Sequence, residues 1–146
     1  MSRSRRWFKY VVWFGIVLNW AFAVFVLFVN PARLLDSLGL VPVNNTIWMV
    51  NYSVLLAILS CFYIPAAADP FRYRVNAWLL IVGRLIPAST FFVGVAMGFM
   101  PRGFLGLGTG DGVVGIIELV LLTRILGEQA VPSSATAERS ADAAFA

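Results

Sequence analysis

Four apolar runs, each about as long as a bilayer is thick and separated by short stretches rich in Arg, Asp, Asn, Pro and Gly, constrain this chain more than anything else in it. Hydrocarbon offers backbone N–H and C=O groups no partner, so a chain that threads it repeatedly must satisfy them within each segment, as an α-helix. The composition agrees: 60% of the residues are hydrophobic and the mean hydropathy is +0.85, far above an ordinary soluble domain.

The first run extends from about Trp7 to Val29 and carries no charge after Lys9. It meets the ~20 residues needed to cross a ~30 Å core. Asn30-Pro31 stops it, and Pro31 to Leu38, with Arg33 and Asp36 among leucines, reads as a short amphipathic interfacial helix closed by Gly39. A polar loop through Asn44 and Asn45 leads to the second span, about residues 47 to 64, with Asn45 or Thr46 placed to cap it and Pro65 to end it. After a tight turn with Asp69, Pro70, Arg72 and Arg74, a third span covers about 75 to 100 and holds Arg84 and Pro87. The proline removes one backbone donor and should kink the helix. The Gly-rich stretch from Pro101 to Gly112 reads as an external loop with Asp111 as the cap of the fourth span, about 112 to 127. The expected fold is an all-α, antiparallel four-transmembrane-helix bundle over residues 1–127. Residues 128–146, rich in Ala and Ser, have too little apolar surface to pack and are expected to form a disordered cytoplasmic tail.

Short basic loops stay in the cytoplasm. With the amino terminus inside, Arg3, Arg5, Arg6, Lys9, Arg72, Arg74, Arg124 and Arg139 lie on the inner side and only Arg33 and Arg102 on the outer. That asymmetry gives both termini an expected place in the cytoplasm. Trp7 and Trp78 then sit near the inner interface and Trp48 near the outer one. The basic cluster before the first span is suited to anionic headgroups, not to nucleic acid. Ser4-Arg5-Arg6-Trp7-Phe8-Lys9 resembles a twin-arginine export signal and Ala21-Phe22-Ala23 a cleavage site, but the apolar run continues through Phe28, which favours an uncleaved first helix.

The absence of histidine and the single Cys61 remove the usual ligands for zinc, haem, copper and iron–sulfur clusters, so no metal or haem is expected to be held by this chain alone. Cys61, inside an apolar span, reads as a packed thiol. No hydroxyl or thiol has a histidine base to activate it, which argues against triad-type catalysis. Gly110-Asp111-Gly112-Val113-Val114-Gly115 has the letters of a dinucleotide fingerprint without a preceding strand, and reads as a turn and helix cap.

Arg84 is the sharpest local feature. A guanidinium near mid-membrane costs at least ~2.5 kcal/mol unless paired or hydrated. At ~1.5 Å per residue it lies ~14 Å from the inner end of its span, and Glu118 lies ~9 Å below the outer end of the next, so the two side chains can meet. Such a pair is either structural or the core of a site for a headgroup, a quinone carbonyl or a partner's buried group. Asn19, Asn51, Ser89 and Thr90 lie at compatible depths, with hydrogen bonding between helices as their ordinary use. Gly15, Asn19 and Ala23 recur every fourth residue, a strip that allows close approach, and Gly94 with Gly98 forms a G-x-x-x-G step read as tight helix packing. Trp13 and Trp20, seven residues apart on one face, read as lipid or helix contacts.

The Asn30-Pro31-Ala32-Arg33-Leu34-Leu35 end of the first span with Leu38-Gly39-Leu40, the Asp69-Pro70 turn, Gly83-Arg84 and a final span with Glu118 give residues 7 to 127 a layout that resembles small four-helix bacterial membrane proteins of the DoxX-like kind. The resemblance implies a link to quinone-reducing sulfur oxidation, although a lone Cys61 gives thiol chemistry no support. The expectation is a noncatalytic inner-membrane subunit, of an electron-transfer or oxidoreductase complex, that packs against larger partners or further copies of itself, with lipid, quinone or partner at Arg84. The alternative is a self-sufficient small transporter or lipophile-binding protein using Arg84, Glu118, Asn19 and Asn51.

Overall fold

The computed structural model describes residues 2–28, 31–37, 39–40 and 46–144, leaving aside the side chains of Pro31, Leu34, Leu35, Thr46, Trp48, Met49 and residues 129–144. It is all-helical in these residues: α1 (Arg3–Phe28), α2 (Pro31–Ser37), α3 (Thr46–Ala68), α4 (Arg74–Ala96) and α5 (Phe104–Ala144). Four stretches are long and apolar enough to cross a membrane, namely Arg3–Phe28, Val50–Ala68, Arg74–Ala96 and Phe104–Glu128. Large apolar side chains such as Phe14, Val17, Ile58, Phe62, Leu79 and Val113 are exposed on their outer faces. That is the surface a helix presents to hydrocarbon, not to water.

The expected loop at 41–45 lies outside the described residues, as does the side chain of Trp48. Several boundaries differ from the sequence reading. Pro65 does not end α3, which runs on to Ala68. The lost backbone bond is local, whereas Ala66 and Ala67 beyond it are buried in the core. By contrast α4 stops at Ala96, short of 100, because Gly98 takes φ +79. Its N–H donates to Val95 O and that of Phe99 to Gly94 O, both at 3.1 Å, the bond pair of a Schellman motif.

The third difference matters most. The Gly-rich stretch from Phe104 is helix, not loop, and Asp111 lies inside α5 instead of capping it. Tertiary packing overrides weak propensity here. A Cβ on Gly108 would stand 3.3 Å from Ala88 O and 3.2 Å from Phe91 Cβ, and one on Gly115 3.0 Å from Leu85. Glycine therefore lets α5 press against α4. Past the apolar stretch, the backbone of α5 stays helical to Ala144, beyond the boundary expected at 127. The alanines of that stretch are strong helix formers.

The packed core occupies one half of the bundle. Phe8, Val12 and Ile16 of α1, Tyr63, Ala66 and Ala67 of α3, Ala77, Leu80 and Ile81 of α4, and Leu122 and Ile125 of α5 form one buried cluster. Polar contacts close the same end: Arg5 pairs with Asp69 at 3.3 Å, and Ser4 Oγ donates to Glu128 Oε1 at 2.8 Å. The start of α1, the α3–α4 turn and the end of the apolar part of α5 are thus together, and the buried polar side chains Ser53, Ser60, Arg84 and Glu118 lie beyond this core.

Candidate functional site

Arg84 is drawn into the bundle by the register of α4, whose Ala77, Leu80, Ile81, Arg84 and Ala88 all face inward. It is 3% exposed. Nη1 donates to Asp111 Oδ1 at 2.9 Å, and Nε stands 3.1 Å from Glu118 Oε2. The second contact is close enough for an ion pair but not aligned as a hydrogen bond, so Glu118 acts on the guanidinium mainly through charge. The third nitrogen, Nη2, lies against Gly15, where a Cβ would overlap it. Arg84 and Glu118 meet as their depths implied, and Gly15 makes the room.

Asp111 is the residue that sequence reasoning missed. It stands seven positions before Glu118, about two turns along the same face of α5. That spacing was the signal, hidden because Gly103, Gly106, Gly108, Gly110 and Gly112 read as a loop. Its side chain is 35% exposed, against 4% for that of Arg84 and 0% for that of Glu118.

Asn19 belongs to the same region. Its Nδ2 donates to Ser60 Oγ at 3.0 Å, and Ser60 Oγ donates in turn to Leu56 O at 2.8 Å. Asn51 does not join them: it is exposed on α3, and its neighbour Tyr52 lines the site in its place. Ser89 and Thr90 do not link helices either; each donates to its own α4, to Leu85 O at 2.8 Å and Ile86 O at 2.9 Å. Gly94 and Gly98 do not form a helix-packing step. Gly94 packs against Met100 and Phe99 of the following turn, and Gly98 supplies the positive φ there. Cys61 is not packed but exposed, with Sγ 3.4 Å from Ala57 O.

Around this polar centre is a cavity of about 280 Å³, lined by Leu18, Asn19, Phe22, Tyr52, Leu56, Arg84, Phe91, Gly106, Leu107, Gly110, Asp111 and Val114. Its body is apolar and aromatic, and its polar groups converge at Arg84 and Asp111. A smaller cavity of about 100 Å³ between α3 and α4 shares Asn19, Tyr52, Leu56, Arg84 and Asp111 with it. Among the described residues no group of three or more His, Cys, Asp or Glu side chains converges. What the site offers is hydrogen bonding and charge at the end of an apolar chamber. Ligand sites in proteins commonly have this form, an apolar concavity with few convergent polar groups.

Comparison of the chain with protein-family models, with curated proteins and with solved structures found no match.

Proposed function

We propose that this chain is a noncatalytic, multi-pass membrane protein that binds one small lipophilic molecule between its helices. The observation that carries the reading is the 280 Å³ chamber, apolar along its walls and polar at Asn19, Tyr52, Arg84 and Asp111. Ligand sites in proteins are mostly apolar concavities with few convergent polar groups. A molecule dissolved in the bilayer, the class that includes quinones and lipids, has the matching character. The smaller cavity between α3 and α4 supports lateral entry from the lipid.

The proposal includes antiparallel spans with α2 at the interface and both termini on the cytoplasmic side of a bacterial inner membrane. Contacts between α4 and α5 support the opposed directions: Leu85 meets Gly115, Ala88 meets Gly112, and Phe91 meets Phe104. The basic residues support the orientation, because Arg3, Arg5, Arg6, Lys9, Arg72, Arg74 and Arg124 belong to the end at which Arg5 meets Asp69. The DoxX-like layout is part of the same proposal and rests on the dispersed residues quoted for it.

A second reading, a subunit packed against a larger membrane partner or another copy of itself, has one observation in its favour. Trp13, Ile16, Val17, Trp20, Ala21, Val24 and Ile64 line an open apolar groove on the outer surface of α1 and α3.

The direct test is photolabelling in native membranes with a diazirine-bearing lipophile, followed by peptide mapping. Labelling at Phe22, Tyr52, Phe91 or Leu107, competed by the unmodified lipophile, is expected. Labelling confined to Trp13, Trp20 and the other outer groove residues would overturn the binding reading and favour the subunit.

A further inference from the structure

We infer that the cavity's occupant carries a positively charged head, an ammonium-type group on a small apolar or aromatic body; this rests on the binding reading above and narrows it.

The charge count at the site is one guanidinium against two carboxylates. Arg84 sits between Asp111 at 2.9 Å and Glu118 at 3.1 Å. Both Arg84 and Asp111 line the cavity, and the acid is the more open of the two: its side chain is 35% exposed and the Arg84 side chain 4%. Arg84 is also enclosed: its only hydrogen bond among the described residues is from Nη1 to Asp111, and Nε and Nη2 are buried without one. Two of its nitrogens face carboxylates, and the third is covered by Gly15. An anionic head would meet Asp111 without an open guanidinium face to balance it, whereas a cation would pair with the exposed Asp111 carboxylate.

Two further observations point the same way. Ser60 spends its own proton on Leu56 O, so it needs a donor, and Asn19 supplies Nδ2. The amide oxygen, an acceptor, is then open to a ligand alongside the second Nδ2 hydrogen. Phe22, Tyr52 and Phe91 line the same cavity. Their ring faces attract a cation, more strongly where water is excluded. The polar end is thus rich in acceptors and flanked by aromatic rings.

The test uses three probes of similar shape, phenyltrimethylammonium, tert-butylbenzene and benzenesulfonate, with the full chain in lipid nanodiscs and empty nanodiscs as the blank. The cation is expected to bind at least about tenfold more tightly than the other two, and Asp111→Asn to lower its affinity by about tenfold or more. Because Asp111→Asn also disturbs Arg84, Leu107→Phe provides a second variant that fills the cavity without touching a charge. It should abolish cation binding while the protein keeps its helicity. Binding of the neutral or anionic probe in preference to the cation, lost in Leu107→Phe, would overturn the inference and leave the lipophile reading standing. Cation binding unchanged in Leu107→Phe would also overturn it, since the probe would then sit elsewhere. Failure of all three probes to bind above the blank would overturn both.

Discussion

At the scale of single residues, Arg84 holds the account together because its cost in hydrocarbon is met by two acids and a glycine. Replacing Arg84 with Met should leave Glu118 buried without its cation and destabilise the bundle by about 3–5 kcal/mol, read from unfolding of the micellar protein by SDS titration. Removing Glu118 as well, as Arg84→Met/Glu118→Leu, should recover part of that loss. If the double variant were as unstable as the sum of the single ones, charge pairing would not be the reason. Gly15→Ala tests the other side of the same guanidinium: with a methyl group where Nη2 now lies, a loss of about 1–3 kcal/mol is expected. The Arg84–Glu118 contact was legible in the sequence because a charge in an apolar span demands a partner and depth can be counted along a helix. Asp111 was not, since five glycines between 103 and 112 lower helix propensity and nothing local announces the α4 surface that restores it. The same limit hid the failure of Asn51 to turn inward, for depth was readable and rotation about the α3 axis was not.

At the scale of elements, the glycines divide into those that admit a neighbour and those that turn the chain. Gly108 and Gly115 admit α4, and a bulky residue there should push α5 outward. Gly98 turns the chain at φ +79, so Gly98→Ala should cost about 1–2 kcal/mol through backbone strain alone. The distinction is measurable. Gly98→Ala should lower stability to SDS while leaving ligand affinity unchanged, whereas Gly108→Val should impair both, because Gly106, Leu107, Gly110 and Asp111 of the same helix line the cavity. Equal effects of the two on affinity would mean that the α4–α5 contact does not shape the site. Helix identity and approximate span positions were legible from hydropathy; helix ends were not. Pro65 reads as a terminator, yet the buried Ala66 and Ala67 beyond it keep α3 helical. Gly98 reads as a packing residue and instead ends α4 two residues after Ala96.

At the scale of the whole molecule, the bundle is close-packed toward the end where Ser4, Asp69 and Glu128 meet and open toward the other, where the cavity lies beside Arg84 and Asp111. Under the proposed orientation the packed half faces the cytoplasm and the chamber lies in the outer half. Cysteines introduced singly at Ser4 and Arg102 in a Cys61→Ala background check this. A membrane-impermeant maleimide added to intact cells should label the Arg102→Cys protein and spare the Ser4→Cys protein, and the reverse pattern would invert the topology. The central claim is that one small lipophilic molecule occupies the chamber. Native mass spectrometry of the protein extracted from its own membranes in mild detergent tests it most directly, with wild type and Leu107→Phe compared. A single bound mass is expected on the wild-type protein and is expected to be missing from Leu107→Phe. A wild-type protein that flies with no bound mass, or with one that Leu107→Phe retains, would contradict it.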